Sequence, residues 1–278
     1  MAVSNQMIDH WLEEDIPYFD LTTHLLGIGQ QKGSISYVCR HTITLACIED
    51  AARILERQHI HVTTCLPSGT QVEAGEVFLR GEGTVENLHT AWKVTQNLLE
   101  YACGISTRTK QLVDTAKAVN PEIAVFTTRK SFPGTKQVSI QAVLAGGALP
   151  HRLGLSETIL IFDQHLRYMG GYDGLAARLP ILKKSICDKS ISVEVDTLEH
   201  ALLLVRAGVD ALQFDKVEPT KLMEMIQQIR AENTRVMLIA AGGINASNAA
   251  AYAATGVDAI STTWAYFGKP ADITIKME

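Results

Sequence analysis

A chain of 278 residues with 46% hydrophobic and 20% charged side chains has the composition of a folded globular protein, which excludes disorder as its dominant state. The net charge of −5, from 25 basic and 30 acidic residues, leaves no basic footprint for nucleic acid, so any anionic ligand must be held by a local cluster of cations. No apolar run approaches the roughly 18 residues of a membrane span. The acidic start of the chain, with Asp9, Glu13, Glu14 and Asp15, is unlike a secretory signal. Five scattered cysteines (Cys39, Cys47, Cys65, Cys103, Cys187) include no CxxC pair and suggest neither a disulfide framework nor a zinc site. Reduced thiols in the cytoplasm are expected.

In chain order, residues 5–14 read as a short helix and Gly33 to Cys39 alternate as a strand. Leu45, Ile48, Ala51, Ala52 and Leu55 recur at helical spacing, which predicts a helix over Ile43 to Glu56. Glycines at 69, 75, 81 and 83 punctuate Val72 to Arg80 and suggest a small antiparallel sheet. Leu88, Ala91, Trp92, Thr95, Leu98, Leu99 and Ala102 then form one stripe of a long helix, with Lys93 off the stripe. From about residue 105 the texture changes. Six short apolar strands, near residues 124–127, 158–162, 191–195, 211–214, 236–239 and 259–261, alternate with helices, as in a parallel α/β sheet. An internal repeat favours a barrel: residues 194–215 and 242–263 have equal length and share a Gly-Val-Asp-Ala tetrapeptide before the second strand.

In such a barrel the chemistry sits at the C-terminal strand ends. Those ends carry Arg129 and Lys130, Asp163, Glu194, Asp215 and Lys216, then Gly242-Gly243, then Ser261-Thr262-Thr263. A single charge at a strand end is ordinarily a solvated loop residue; both signs recurring at nearly every end are not so easily explained. Glu194 lies inside an apolar strand, where an unpaired carboxylate is costly, so a metal or a hydroxyl-rich ligand would give it a purpose. The Gly242-Gly243 turn suits a phosphate, because glycine lets backbone N–H groups approach an anion and a following helix adds its dipole. Thr262 and Thr263 would add a second small-residue loop beside it. His151 and Arg152 follow a Gly-Gly bend, and with Arg129 they form a cluster able to hold a carboxylate.

The ordered motifs Thr-Arg-Lys-Ser-Phe-Pro-Gly, His-Arg-Leu-Gly-Leu, Val-Glu-Val-Asp, Phe-Asp-Lys and Ala-Ala-Gly-Gly-Ile resemble those of quinolinate phosphoribosyltransferases over nearly the whole chain. Glu14-Asp15 with Asp20-Leu21-Thr22-Thr23, and Cys103 to Thr107, resemble the family's N-terminal signature and its helix-end motif. The resemblance implies an N-terminal α/β sandwich (1–104) and a six-stranded incomplete α/β barrel (105–267), with the tail 268–278 packing on the first domain. It also implies a homodimer with shared active sites, Mg²⁺, and transfer of phosphoribosyl from phosphoribosyl pyrophosphate to an acceptor base with release of pyrophosphate. By position, Arg129, His151 and Arg152 would hold an acidic acceptor, and Lys130 would serve acceptor or pyrophosphate. Glu194 and Asp215 would face the ribose hydroxyls and Mg²⁺, and Gly242, Gly243, Thr262 and Thr263 would cradle the 5′-phosphate.

The chain departs from the family pattern at the acceptor. An arginine on the long helix is Lys93, which keeps the charge and loses the bidentate fork, and a strand-end lysine is Phe162, which offers a ring where the family offers an ammonium. The last phosphate loop has Thr263 in place of glycine. This pattern resembles the ModD branch, pyrophosphorylases associated with molybdenum transport, and implies an acidic or aromatic acceptor other than quinolinate. The alternatives are a decarboxylating quinolinate enzyme of NAD biosynthesis, a Schiff-base aldolase using Lys130 or Lys216, and a non-catalytic nucleotide or oxyanion binder. The chemistry implied throughout is cytoplasmic, without nucleic acid or membrane.

Overall fold

The computed structural model describes residues 2–278. Its elements begin with α1 (Asn5–Asp15), α2 (Leu21–Leu26), β1 (Lys32–Cys39), β2 (Ile43–Thr44), α3 (Ile48–Arg57) and β3 (His61–Cys65). They continue with β4 (Gln71–Val72), β5 (Val77–Thr84), α4 (Val85–Lys117), β6 (Ala124–Thr127), α5 (Lys136–Ala145) and β7 (Leu149–Pro150). Next come β8 (Ile159–Ile161), α6 (Asp163–Leu166), α7 (Gly171–Ser185), β9 (Ile191–Val195), α8 (Leu198–Arg206) and β10 (Ala211–Asp215). The chain closes with α9 (Pro219–Glu232), β11 (Met237–Ala241), α10 (Ala249–Ala253), β12 (Ala259–Thr262) and β13 (Ile273–Met277). Two compact units emerge. One combines the chain up to Lys110 with Ser131–Gly147 and Ala265–Glu278; the other combines Gln111–Lys130 with Ala148–Trp264.

In the first unit an antiparallel sheet runs β13-β1-β5-β3. The C-terminal strand pairs with β1 from Ile35↔Met277 to Cys39↔Ile273. Ile35, Tyr37, Leu79, Leu88, Leu99 and Cys103 bury together, so one face of the sheet packs on the apolar stripe of α4. Two sequence expectations change here. Ile43 and Thr44 form a short strand against β4, and the helix begins only at Ile48. The motif at Cys103 is not a helix end, because α4 runs on to Lys117. Gly104 is required in mid-helix by close approach: a Cβ there would lie 3.1 Å from the backbone of Lys269, Pro270 and Ala271.

The second unit is an incomplete α/β barrel of seven parallel strands, ordered β7-β6-β12-β11-β10-β9-β8 and left open between β7 and β8. Six strands were expected; the extra one is β7, only two residues long and paired to Phe126 and Thr127. The internal repeat has a structural meaning. In each copy the aspartate of Gly-Val-Asp-Ala accepts an N–H at the start of a neighbouring strand: Asp210 from Ile191 at 2.9 Å and Asp258 from Leu238 at 2.7 Å. Each also pairs with a helix cation, Lys183 and Arg230, both at 2.6 Å. Gly208 and Gly256 follow the repeat's helices with φ of 90° and 89°, the left-handed stops expected of them.

Register sorts the interior face into layers. Glu194, Gln213, Ile239, Ala259 and Ala124 are successive in-register neighbours, and Asp215, Ala241, Ser261 and Phe126 form the layer above, toward the C-terminal strand ends. Ala211, Ile239 and Ala259 pack with Ala124 and Phe126 as an apolar floor. The charged and amide members of both layers lie on β9 and β10. No helix among the described residues is long and apolar enough to cross a membrane.

Candidate active site

A cavity of about 690 Å³ opens at the C-terminal strand ends of the barrel unit. Arg129, Lys130, His151, Arg152, Phe162, Glu194, Asp215, Gly242, Gly243, Thr262 and Thr263 all line it. Lys93 does not. It lies in the other unit on the exposed face of α4, donating to Gln96 at 3.0 Å and sitting 4.8 Å over the Trp92 ring.

The cavity wall is charged unevenly. Arg129, Lys130, Arg152 and Lys216 face Glu194 and Asp215, four cations against two carboxylates. Arg152 is 9% exposed, and among the described residues its one hydrogen bond is a 3.5 Å donation to the Thr158 carbonyl. Burial, and then the like charge of Arg129, work against its guanidinium. A buried cation without a carboxylate partner is costly, so this end of the cavity is built for an anion. Next to it, burial and then Arg152 hold the His151 imidazole below its ordinary range, favouring the neutral ring. His151 leans on Phe126, ring centres 5.7 Å apart. Phe162 caps α6: its N–H donates to His165 Nδ1 at 3.0 Å and its ring stacks on the imidazole at 5.9 Å.

On β9, Glu194 is raised above the usual carboxylate range, first by burial and then by Asp215; Gln213, Lys130 and Lys216 oppose the shift. Lys216 follows Asp215 in a left-handed conformation, φ 56°, with Nζ 3.8 Å from the Asp215 carboxylate. Non-glycine backbone in that region is strained and belongs to sites where geometry matters more than ease. Glu194 and Asp215 fit a magnesium ion of the kind held by one or two carboxylates plus substrate phosphates. No group of three or more His, Cys, Asp or Glu able to hold a metal occurs among the described residues.

Gly242 and Gly243 carry φ of 86° and 74°. A Cβ on Gly242 would lie 2.7 Å from the Lys216 backbone nitrogen, whereas nothing lies within 4 Å of one on Gly243. The first glycine is needed for packing, and the second keeps a space open. The Gly243 carbonyl accepts from Asn245 Nδ2 and Asn248 Nδ2, each at 3.2 Å. Since the peptide is planar and trans, this turns the Ile244 N–H the opposite way. The helix that follows is only Ala249–Ala253, so the cradle is a loop of backbone donors with little helix dipole behind it. Thr262 is a tie within that loop: its hydroxyl donates to the Ile244 carbonyl at 2.6 Å and accepts from Trp264 N at 3.0 Å. Thr263 shares a 2.9 Å hydroxyl contact with Thr128.

Sequence reasoning overlooked Leu160, Gln164, Gln213, Asn245 and Trp264, which also line the cavity. For Gln213 a signal existed: an amide inside an apolar strand, two residues before Asp215 and on the same face.

A parallel barrel with a basic pocket, two strand-end carboxylates and a glycine loop defines a protein built to bind a phosphorylated, hydroxylated ligand. The profile of the quinolinate phosphoribosyl transferase C-terminal domain matches residues 105–276, and that of the N-terminal domain residues 20–103. A relative from Rhodobacter capsulatus named as a pyrophosphorylase ModD is 41% identical over 239 residues, covering 86% of this chain and 92% of its own. Another of that name from Pasteurella multocida is 34% identical over 275 residues, covering 99% and 98%. The solved nicotinate-nucleotide pyrophosphorylase of Francisella tularensis superposes with a TM-score of 0.89 at 25% identity, covering 98% of this chain and 95% of that one. The chain belongs to the quinolinate phosphoribosyltransferase family, and is a pentosyltransferase of that family.

Proposed function

We propose that the cavity transfers the phosphoribosyl group of phosphoribosyl pyrophosphate to an acidic or aromatic acceptor other than quinolinate, releasing pyrophosphate. The observation that carries this is the division of the cavity wall: a glycine loop for the 5′-phosphate, Glu194 and Asp215 for the sugar, and Arg129, Arg152 and neutral His151 beside the Phe162 ring for the acceptor. When bound, Mg²⁺ supplies positive charge to the departing pyrophosphate. Lys130 neutralises the same oxygens. Glu194 and Asp215 hold the ribose hydroxyls and lie near the positive charge that grows on the ring as the anomeric bond breaks. Arg129 and Arg152 fix the acceptor's carboxylate, and a hydrogen bond to neutral His151 orients its ring. No covalent nucleophile is needed.

The relatives' pyrophosphorylase names support the release of pyrophosphate. The Phe162 ring, in place of a strand-end cation, favours an acceptor other than quinolinate, and a link to molybdenum transport rests on the sequence resemblance alone. A homodimer in which Lys93 reaches the neighbouring subunit's site accounts for an exposed cation that, among the described residues, is held only through Gln96 and Trp92. Light scattering at micromolar concentration is expected to give twice the chain mass. The activity is tested by incubating the protein with Mg²⁺, phosphoribosyl pyrophosphate and a panel of aromatic acids. Acid-dependent pyrophosphate release is expected, and its absence across mono- and dicarboxylates would overturn the proposal in favour of a binding protein.

A further inference from the structure

We propose that Gln213 is a positioning and sugar-binding residue: its amide N–H holds the Glu194 carboxylate toward the cavity, and its carbonyl oxygen accepts a hydroxyl of the bound sugar. This rests on the cavity being a phosphoribosyl site, as proposed above.

Gln213 sits in the centre of the parallel sheet, 7% exposed, in the same interior layer as Ile239 and Ala259. Leucine or methionine would fill that place without a polar atom. A buried primary amide costs stability unless all its hydrogen-bonding capacity is met. Within the protein it is met only in part. Nε2 donates to Glu194 Oε2 at 3.3 Å, across the in-register pair Gln213↔Glu194. The opposite amide orientation would set Oε1 against the carboxylate, so the donor orientation is the favourable one. Oε1 then has no protein partner among the described residues and is not one of the fully buried unpartnered atoms, so it is an acceptor open to the cavity that the side chain lines.

Glu194 needs such a brace. No cation lies within ion-pair distance of it among the described residues, and Gln213 provides the only side-chain hydrogen bond to its carboxylate. Gln213 and Asp215 are two residues apart on one strand, so their side chains share a face. Together with Glu194 they offer two carboxylates and one amide oxygen, an acceptor-rich floor suited to the hydroxyls of a ribose and to nothing anionic. Fixing Glu194 before the sugar arrives removes rotamer entropy that binding would otherwise have to overcome.

The test uses Gln213→Met, which keeps the volume and removes the amide, and calorimetry with two probes, ribose 5-phosphate and inorganic phosphate. Ribose 5-phosphate is expected to bind about tenfold more weakly than to the parent, the upper end of the effect of one neutral hydrogen bond. Inorganic phosphate should bind unchanged, and the thermal midpoint should not fall. Ribose 5-phosphate binding within twofold of the parent would overturn the proposal, as would an equal loss for both probes, which marks a merely structural role. Should Gln213→Met fail to fold, Gln213→Glu keeps the shape and replaces the donor with a second carboxylate; it is expected to weaken ribose 5-phosphate still further, and unchanged binding would be equally decisive. Glu194→Ala separates the two levels. If it too binds ribose 5-phosphate like the parent, the sugar site itself is misassigned; if it loses binding while Gln213→Met keeps it, only the role of Gln213 falls.

Discussion

Replacing Phe162 by lysine should raise turnover of quinolinate. Phe162 caps α6 through its backbone N–H, so a new side chain leaves the bond to His165 Nδ1 in place. What is lost is the stacking of the ring on His165, worth roughly 0.5–1.5 kcal/mol. What is gained is an ammonium at the acceptor end of the cavity, near a second carboxylate that an aromatic ring leaves unpaired. A charge-assisted hydrogen bond there contributes about 1.5–3 kcal/mol, a gain of roughly tenfold or more in kcat/KM, while the lost stacking lowers stability rather than turnover. Adding Lys93→Arg restores a bidentate fork and should increase the gain. The assay is pyrophosphate release with quinolinate as acceptor, against a monocarboxylic aromatic acid. The reasoning is refuted if the parent already turns over quinolinate above about 10⁴ M⁻¹s⁻¹, or if Phe162→Lys leaves the preference between the two acids unchanged.

Three further substitutions probe the loop and the sugar carboxylate. Gly242→Ala puts a methyl group against the Lys216 backbone at a φ of 86°, and should cost more than the roughly 1–2 kcal/mol of left-handed backbone alone, lowering the thermal midpoint and abolishing phosphate binding. Gly243→Ala, with open space around its Cβ, should fold more nearly like the parent yet bind inorganic phosphate more weakly; parent-like phosphate binding would remove that loop from the site. Glu194→Gln should match or exceed the parent's thermal midpoint at pH 7. Folding raises the Glu194 pKa, so the ionised group is less favourable in the folded protein than in the unfolded chain at neutral pH. Its stabilising contribution is complete below the unfolded carboxylate range and is lost as pH rises through the folded value, so the advantage of glutamine should vanish on acidification. A lower midpoint for Glu194→Gln at pH 7 would contradict this.

Much of the site was legible in the sequence because parallel barrels put chemistry where an apolar strand ends. Arg129, Lys130, Glu194, Asp215 and the two glycines could be found by reading past each run of apolar residues, and all line one cavity. The internal repeat was visible for the same physical reason that it exists, since Asp210 and Asp258 meet the same backbone need in its two copies. Other features had no local signature. β7 is a two-residue strand defined by its neighbour β6, and Gly104 reads as a helix stop although it serves a tertiary approach to residues 269–271. Ile43 and Thr44 continue the helical pattern of Leu45 and Ile48 and are claimed instead by β4. The role of Gln213 depends on register between strands, which periodicity within one strand does not reveal.

The central claim is that Glu194 and Asp215 form a magnesium-dependent phosphoribosyl site, and calorimetric titration of phosphoribosyl pyrophosphate with and without Mg²⁺ tests it most directly. One site per chain is expected, strengthened by Mg²⁺ and lost in Asp215→Ala and Glu194→Ala. Binding of equal strength in the parent and both variants, or binding indifferent to Mg²⁺, would contradict it.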